Sequence, residues 1–301
     1  EDYTKAHKIT SQYTKRSLRS NLKRVEKALE KPIEEWKVAT FKDDEKVIDA
    51  LVEDYALNSV LVSLSAIKGW LMHNDAPEKM VEEYKEAIND LVEENRDKAH
   101  KQEKTEVEEE LGENFEYKNL HNKVREFISD NLEKATGSKL RDLVILGLYG
   151  LIPPARIGNY LDMSVRSGRG DRLKNDKNYI VKSKDGDYRF IFNKYKTSKH
   201  LGKVDYKVKD QLMEKLLDKY LATLKGKNPT FLEMSQTNMT NKLKAITKKL
   251  LGVGISVNTF RHSFLSDFMS QNKSIAEKKE IASIIGQTYR PPRAELYARV
   301  E

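Results

Sequence analysis

The 301-residue sequence has no cysteine, so disulfide scaffolds, Cys-ligated zinc and thiol nucleophiles are excluded. It has only two tryptophans and seven prolines. No apolar run approaches the ~20 residues that a membrane span requires. No charged, apolar and small-residue succession opens the chain as a signal peptide would. It starts at Glu1 rather than Met, as a trimmed piece would. These absences lead us to expect a soluble, intracellular chain with no membrane partner. At ~100–200 residues per domain, its length suggests two domains.

What is abundant is charge. The 55 Lys and Arg outnumber the 47 Asp and Glu, giving a formal +8, and the imbalance is uneven along the chain. Residues 1–31 carry +5, residues 32–117 carry −14 and residues 118–301 carry +17. A basic block of that size points to a polyanion partner, and nucleic acid is the first expectation. The plain rival is a lysine-rich surface serving solubility.

Periodicity organises the rest. Leu18, Leu22, Val25 and Leu29 lie at helical spacing among Lys15, Arg16, Arg19, Lys23 and Arg24, a basic amphipathic helix within an arm over 1–33. That helix can touch phosphates or simply pack its apolar stripe. Helices are predicted from an Asp43 or Asp44 cap to Tyr55, through NSVLVSLSAIKGWLMHN, and from about Glu78. They define a helical domain over 34–117. KQEKTEVEEELGEN has no apolar rhythm and reads as acidic run and linker, with the boundary near Gly112 to Tyr117.

Over 118–301, helices are predicted at about 118–134 and 138–149, followed by Pro153-Pro154 and a short helix holding Arg156. Three strands then alternate, Asn178 to Lys182, Tyr188 to Tyr195 and Lys203 to Val208, and Asp185-Gly186 marks a hairpin. Helices return at about 209–225, 238–251, 258–271 and 275–286, with a last one around Tyr297. The fold class is mainly α with a small antiparallel β-sheet.

Four islands in this half, LIPPARIGNYLDM, NKYKTSKHLG, VNTFRHSFLSDFM and IASIIGQTYRPPRAELYARV, resemble the tyrosine recombinase (phage integrase) family. Order, spacing and predicted context agree over roughly residues 118–301. Pro153-Pro154 and the YKTSK turn look most like the variants of large eukaryotic DNA viruses and their mobile elements. The resemblance makes 118–301 a catalytic domain and 34–117, by position, a core-binding-like domain. It implies Arg156 and Arg261 as phosphate-holding arginines, Lys196 as proton donor to the 5′ oxygen and Tyr297 as nucleophile. Asn258 and Gln287 stand where the family has His, and His or Trp. Asn159 replaces its usual carboxylate, and Gln287 to Tyr297 is one residue longer than the family's spacing. Lys194, Lys199, His262 and Arg290 are the expected neighbouring DNA contacts. No metal or other cofactor is implied. The partners would be double-stranded DNA with inverted-repeat sites and further copies of the chain, a tetramer at synapsis. The location would be wherever that DNA lies, nucleus or viral factory for a eukaryotic virus.

The chemistry supports these residue types independently. Breaking a phosphodiester without a metal needs an in-line nucleophile, neutralised non-bridging oxygens and a proton for the leaving oxygen. Guanidinium forks fit phosphate and stay charged. Amides at 258 and 287 can donate hydrogen bonds but cannot act as acid or base near neutrality. Each assignment has a plain competitor. Arg156 can be an ion-pair residue, Lys196 can yield to Lys199, His262 can be structural, and Tyr289 can displace Tyr297. A type IB topoisomerase shares the chemistry, and a cleavage-dead DNA-binding accessory protein shares the surface.

Overall fold

The computed structural model describes residues 12–100, 104–168 and 173–287, without the side chains of 12–13 and 95–100. The chain divides into two compact units, Glu1–Lys101 and Gln102–Glu301. Counted on these units, 18 basic and 21 acidic side chains give −3, and 37 against 26 give +11. The basic excess of the second unit is therefore smaller than the +17 counted from residue 118, because it also contains the Glu-rich 106–116 stretch.

The first unit is built on its most apolar helix. Helix α1 spans Gln12–Ala28, α2 Asp44–Asp54, α3 Leu57–His73 and α4 Glu78–His100. On α3, Val60, Leu64, Ile67 and Leu71 are fully buried, and α1, α2 and α4 pack around it. The apolar stripe of α1 faces this core through Val25, while Arg16, Arg19 and Lys23 are exposed. Asp43 caps α2 by accepting from the Lys46 amide. Two short 3-10 turns, Ile33–Glu35 and Val38–Phe41, carry Trp36 and Phe41 inward. Trp36 meets Phe41 and Trp70 edge-on, with centroids 5.1 and 5.8 Å away.

The second unit joins a set of helices to one small sheet. Its helices are α5 Glu106–Leu111, α6 Tyr117–Leu132, α7 Gly137–Gly150, α8 Ile157–Tyr160, α9 Ser198–Leu201, α10 Gln211–Leu221, α11 Gln236–Leu251, α12 Val257–Ser270 and α13 Ile275–Ile284. The strands are β1 Ser164–Ser167, β2 Tyr179–Lys182, β3 Tyr188–Phe192 and β4 Val204–Lys207, adjacent in that order. The three expected strands form the antiparallel part, with Ile180 opposite Phe190 and Phe190 opposite Tyr206. Gly186 turns the β2–β3 hairpin at a φ of 91°. The fourth strand was not expected. β1 pairs parallel with β2, Ser164 opposite Tyr179, so the sheet is mixed rather than purely antiparallel. The mainly helical class with one small sheet stands.

Residues Gly112 to Tyr117, expected as an exposed linker, are folded into the second unit. Thr105 and Glu108 form a capping box at the start of α5, and Glu108, Leu111 and Phe115 are at most 5% exposed. Among the described residues no helix is long and apolar enough to cross a membrane.

Candidate functional site

Three segments far apart in sequence converge at Gly286. The first follows α7. Pro153 and Pro154 rule out a continuing helix, and Arg156 ends the extended stretch as N-cap of α8. Arg156 therefore stands just before the short helix expected to hold it. Its backbone carbonyl accepts from the Asn159 amide, and its side chain is half-buried.

The second segment is the turn between β3 and β4. Asn178, at the entry to β2, is 6% exposed and divides its amide between this turn and the Arg156 segment. Its Nδ2 donates to the carbonyls of Lys194 at 2.9 Å and Asn159 at 3.0 Å. Its Oδ1 accepts from the Asn193 and Lys194 amides, both at 2.8 Å. At the far end of the turn, the Tyr195 hydroxyl donates to the Gly202 carbonyl at 2.8 Å. Lys194, Lys196 and Lys199 are exposed along it, and none has an ion-pair partner among the described residues.

The third segment ends α13. Gly286 has a φ of 75°, its amide donates to Ser283, and the Gln287 amide donates to Ala282 at 2.8 Å. This is a Schellman ending, which needs a left-handed residue and so favours glycine. Two carbonyls are left for other partners. Gly286 accepts from the Thr197 hydroxyl at 3.0 Å, and Ile285 accepts from Arg261 Nη1 at 2.7 Å. A Cβ placed on Gly286 would lie 3.7 Å from Arg156 Nε, 3.8 Å from Thr197 Oγ1 and 3.8 Å from the Tyr195 ring. Arg156, the lysine turn and the end of α13 therefore surround one glycine.

Arg261, 3% exposed on α12, lies beneath this junction, and its Nη1 also donates to the Pro154 carbonyl at 3.2 Å. It ties the first segment to the third. A buried cation in a low-dielectric surrounding acts strongly on neighbouring charge. Burial pushes the Tyr149 and Tyr160 hydroxyls well above the ordinary tyrosine range, and the Arg261 charge opposes that rise. Both rings are at most 1% exposed, which makes them poor nucleophiles. The Arg156 Nε and the Asn159 Nδ2 are buried with no hydrogen-bond partner among the described residues. A buried orphan donor costs free energy unless a ligand or water completes it.

The other expected positions fare differently. Asn258 is exposed on the first turn of α12, and no hydrogen bond joins its side chain to Arg156 or Gly286 among the described residues. Gln287 is half-buried directly after Gly286. His262, expected to touch DNA, has its Nδ1 2.6 Å from Glu108 Oε1 and is tied inward to α5. Arg290, Tyr297 and the rival Tyr289 lie outside the described residues. Three contributors were missed: Asn178, Thr197 and Gly286. Glycine after IASII is a readable helix stop, but nothing in sequence marks Asn178 as more than a strand's first residue. Among the described residues no group of three His, Asp or Glu could hold a metal ion.

No family model matches this chain, and no curated protein does. Among solved structures it is similar to a crystal structure of XerA recombinase, at 13% identity and a TM-score of 0.40, covering all of this chain and 91% of that one. A likeness at that level leaves the functional reading to the chain's own residues.

Proposed function

We propose that the chain binds double-stranded DNA and cuts and rejoins its strands through a 3′-phosphotyrosyl link. The observation that carries this is the half-buried Arg156 side chain, which has no carboxylate partner among the described residues and is set against Gly286 between the exposed lysine turn and the buried Arg261 charge. An anionic oxygen placed there gains a charge-assisted donor, a second cation beneath it and an ammonium beside it. A DNA phosphate fits that chemistry, and the +11 of the second unit would bring it there.

In the proposed step the Tyr297 oxygen, giving its proton to solvent, attacks the phosphorus. A P–O bond to tyrosine forms as the bond to the 5′ oxygen breaks, and that oxygen takes a proton from Lys196. Arg156 binds a non-bridging oxygen, Arg261 adds charge from below, and Gln287 and Asn258 supply amide donors. Rejoining reverses the step with a partner strand's 5′ hydroxyl. Residues 118–301, with 102–117 folded into the same unit, would be the catalytic domain, and 34–101 a DNA clamp entered through the basic arm of 1–33. Inverted-repeat sites and a tetramer at synapsis belong to the same reading.

A second reading rests on one observation. Asn258 stands exposed with no bond into the junction, as it would in a DNA-binding accessory protein that does not cleave. One experiment separates the readings. Duplexes selected from a random pool by binding are rebuilt with a nick beside each candidate scissile phosphate and incubated with the protein. A covalent adduct surviving denaturant, lost in Tyr297→Phe, supports cleavage. Tight binding without adduct on any selected duplex establishes the accessory reading. Relaxation of a plasmid lacking any selected site would move the chain to the topoisomerases.

A further inference from the structure

We infer that Asn178 and Thr197 are positioning residues that clamp the turn at its base and its tip, on either side of Lys196, and so set where the Lys196 ammonium stands; this rests on the cleavage reading above. Lys196 is exposed and makes no ion pair among the described residues, so the backbone carrying it must fix its reach. At the base of the turn, Asn178 satisfies both N–H donors and both Oδ1 lone pairs of its amide on Asn159, Asn193 and Lys194. A buried amide with every group matched holds one geometry, because any shift leaves donors or acceptors orphaned. At the tip, the Thr197 hydroxyl reaches the Gly286 carbonyl, on the residue beside Arg156. Lys196 sits between these two fixings, immediately before Thr197. The base is thus referred to the segment of Arg156 and the tip to the end of α13, which leads toward Tyr297.

A misplaced general acid leaves a specific signature. It slows departure of an oxygen leaving group, which needs the proton, but not of a sulfur leaving group, which departs as a thiolate. The test uses full-length protein on nicked duplexes with oxygen or sulfur at the bridging 5′ position. Single-turnover adduct formation is followed for wild type, Lys196→Ala, Asn178→Ala, Thr197→Val and Thr197→Ser. Asn178→Ala and Thr197→Val should be slowed on the oxygen substrate by up to about 10²-fold, toward the loss in Lys196→Ala. Both should return close to wild type on the sulfur substrate, and Thr197→Ser, which keeps the hydroxyl, should stay near wild type on both. If Asn178→Ala does not fold, the Thr197 pair decides alone. Equal slowing on both substrates, or none, overturns the clamp. If wild type forms no adduct on either substrate, the cleavage reading itself fails, a result distinct from failure of the clamp.

Discussion

Arg261 Nη1 donates to the Ile285 carbonyl at 2.7 Å, and the same nitrogen reaches the Pro154 carbonyl at 3.2 Å. One guanidinium thus holds together the backbone before Arg156 and the backbone before Gly286. The expectation for Arg261 was a phosphate ligand. Its burial at 3% adds a structural duty that a lysine, whose nitrogen lies one bond nearer the backbone and is costlier to desolvate, performs poorly. Arg261→Lys should therefore lower stability by about 1–3 kcal/mol, the cost of orphaning buried acceptors. Denaturant unfolding would show it as a lower midpoint at unchanged slope. An unchanged midpoint would mean that the carbonyl ties are incidental.

Two glycines should respond differently to alanine. At Gly286 a Cβ meets its neighbours at 3.7 Å or more, ordinary contact, so the cost is the left-handed backbone alone, roughly 1–2 kcal/mol. Gly286→Asn should cost less than Gly286→Ala, since Asn tolerates that region. At Gly150 a Cβ would sit 2.6 Å from Val124 Cγ1, inside the α6–α7 contact. Gly150→Ala should cost about 1–3 kcal/mol by overpacking, and Val124→Ala should relieve it in the double variant. Thermal unfolding of the four proteins of that cycle measures the coupling. Strict additivity would remove the steric explanation.

The sequence made the long elements readable where apolar periodicity was strong. LRDLVILGLYG became α7, buried almost throughout, and the Asp185-Gly186 turn joined the strands expected on either side. It failed where a short element depends on its neighbours. β1, Ser164–Ser167, has only Val165 as an inward apolar signal and gains its place from β2 and from Thr230 across its other edge. The 104–116 stretch hid its fold behind glutamates, although the Thr105-x-x-Glu108 capping box was present in the letters. The charged residues of the candidate site stood out by type. The residues that position them did not, because Asn178 and Thr197 act through hydrogen bonds to backbone distant in sequence.

The Glu108–His262 pair, with Nδ1 and Oε1 2.6 Å apart, joins α5 to α12. Glu108 is 1% exposed, and its other oxygen accepts from the Thr105 amide. Removing the carboxylate breaks both contacts, whereas removing the imidazole breaks only the first of them. Glu108→Ala should therefore destabilise more than His262→Ala, by about 1–3 kcal/mol against roughly half that. Hydrogen exchange should speed first in α5, 106–111. Greater damage from His262→Ala would show that the imidazole, not the cap, holds this segment.

Alkaline pH should be a specific threat. Burial raises the phenol pKa of Tyr84, Tyr117, Tyr149, Tyr160, Tyr188 and Tyr206, with nearby acidic groups adding at several. A group whose folded pKa lies above its unfolded value contributes stability that is complete below the unfolded value, about 10 for tyrosine, and is lost as pH rises beyond it. Stability should hold constant toward pH about 10 and then fall. Phenolate absorbance should show these six ionising only together with loss of helical circular dichroism. Gradual ionisation of all 14 tyrosines in a still-folded chain would contradict their burial.

Affinity for duplex DNA should fall steeply with salt, and the lysine turn should account for part of the slope. Each phosphate contact releases counterions, so log K against log salt steepens by about 0.9 per contact. Lys194 and Lys199 are exposed beside the junction and bound to no carboxylate among the described residues. Lys194→Ala and Lys199→Ala should each flatten the slope by about that amount while leaving unfolding midpoints unchanged. The exposed Arg16, Arg19 and Lys23 of α1 offer a matched comparison in a unit whose net charge is −3. If α1 follows the DNA backbone, replacing all three by Gln should flatten the slope by roughly three contacts' worth. If only net charge matters, removing three charges anywhere on the surface would serve equally, and Lys68→Gln, Lys79→Gln and Lys85→Gln together would have the same effect. An equal effect from both triples would show that α1 makes no specific phosphate contact.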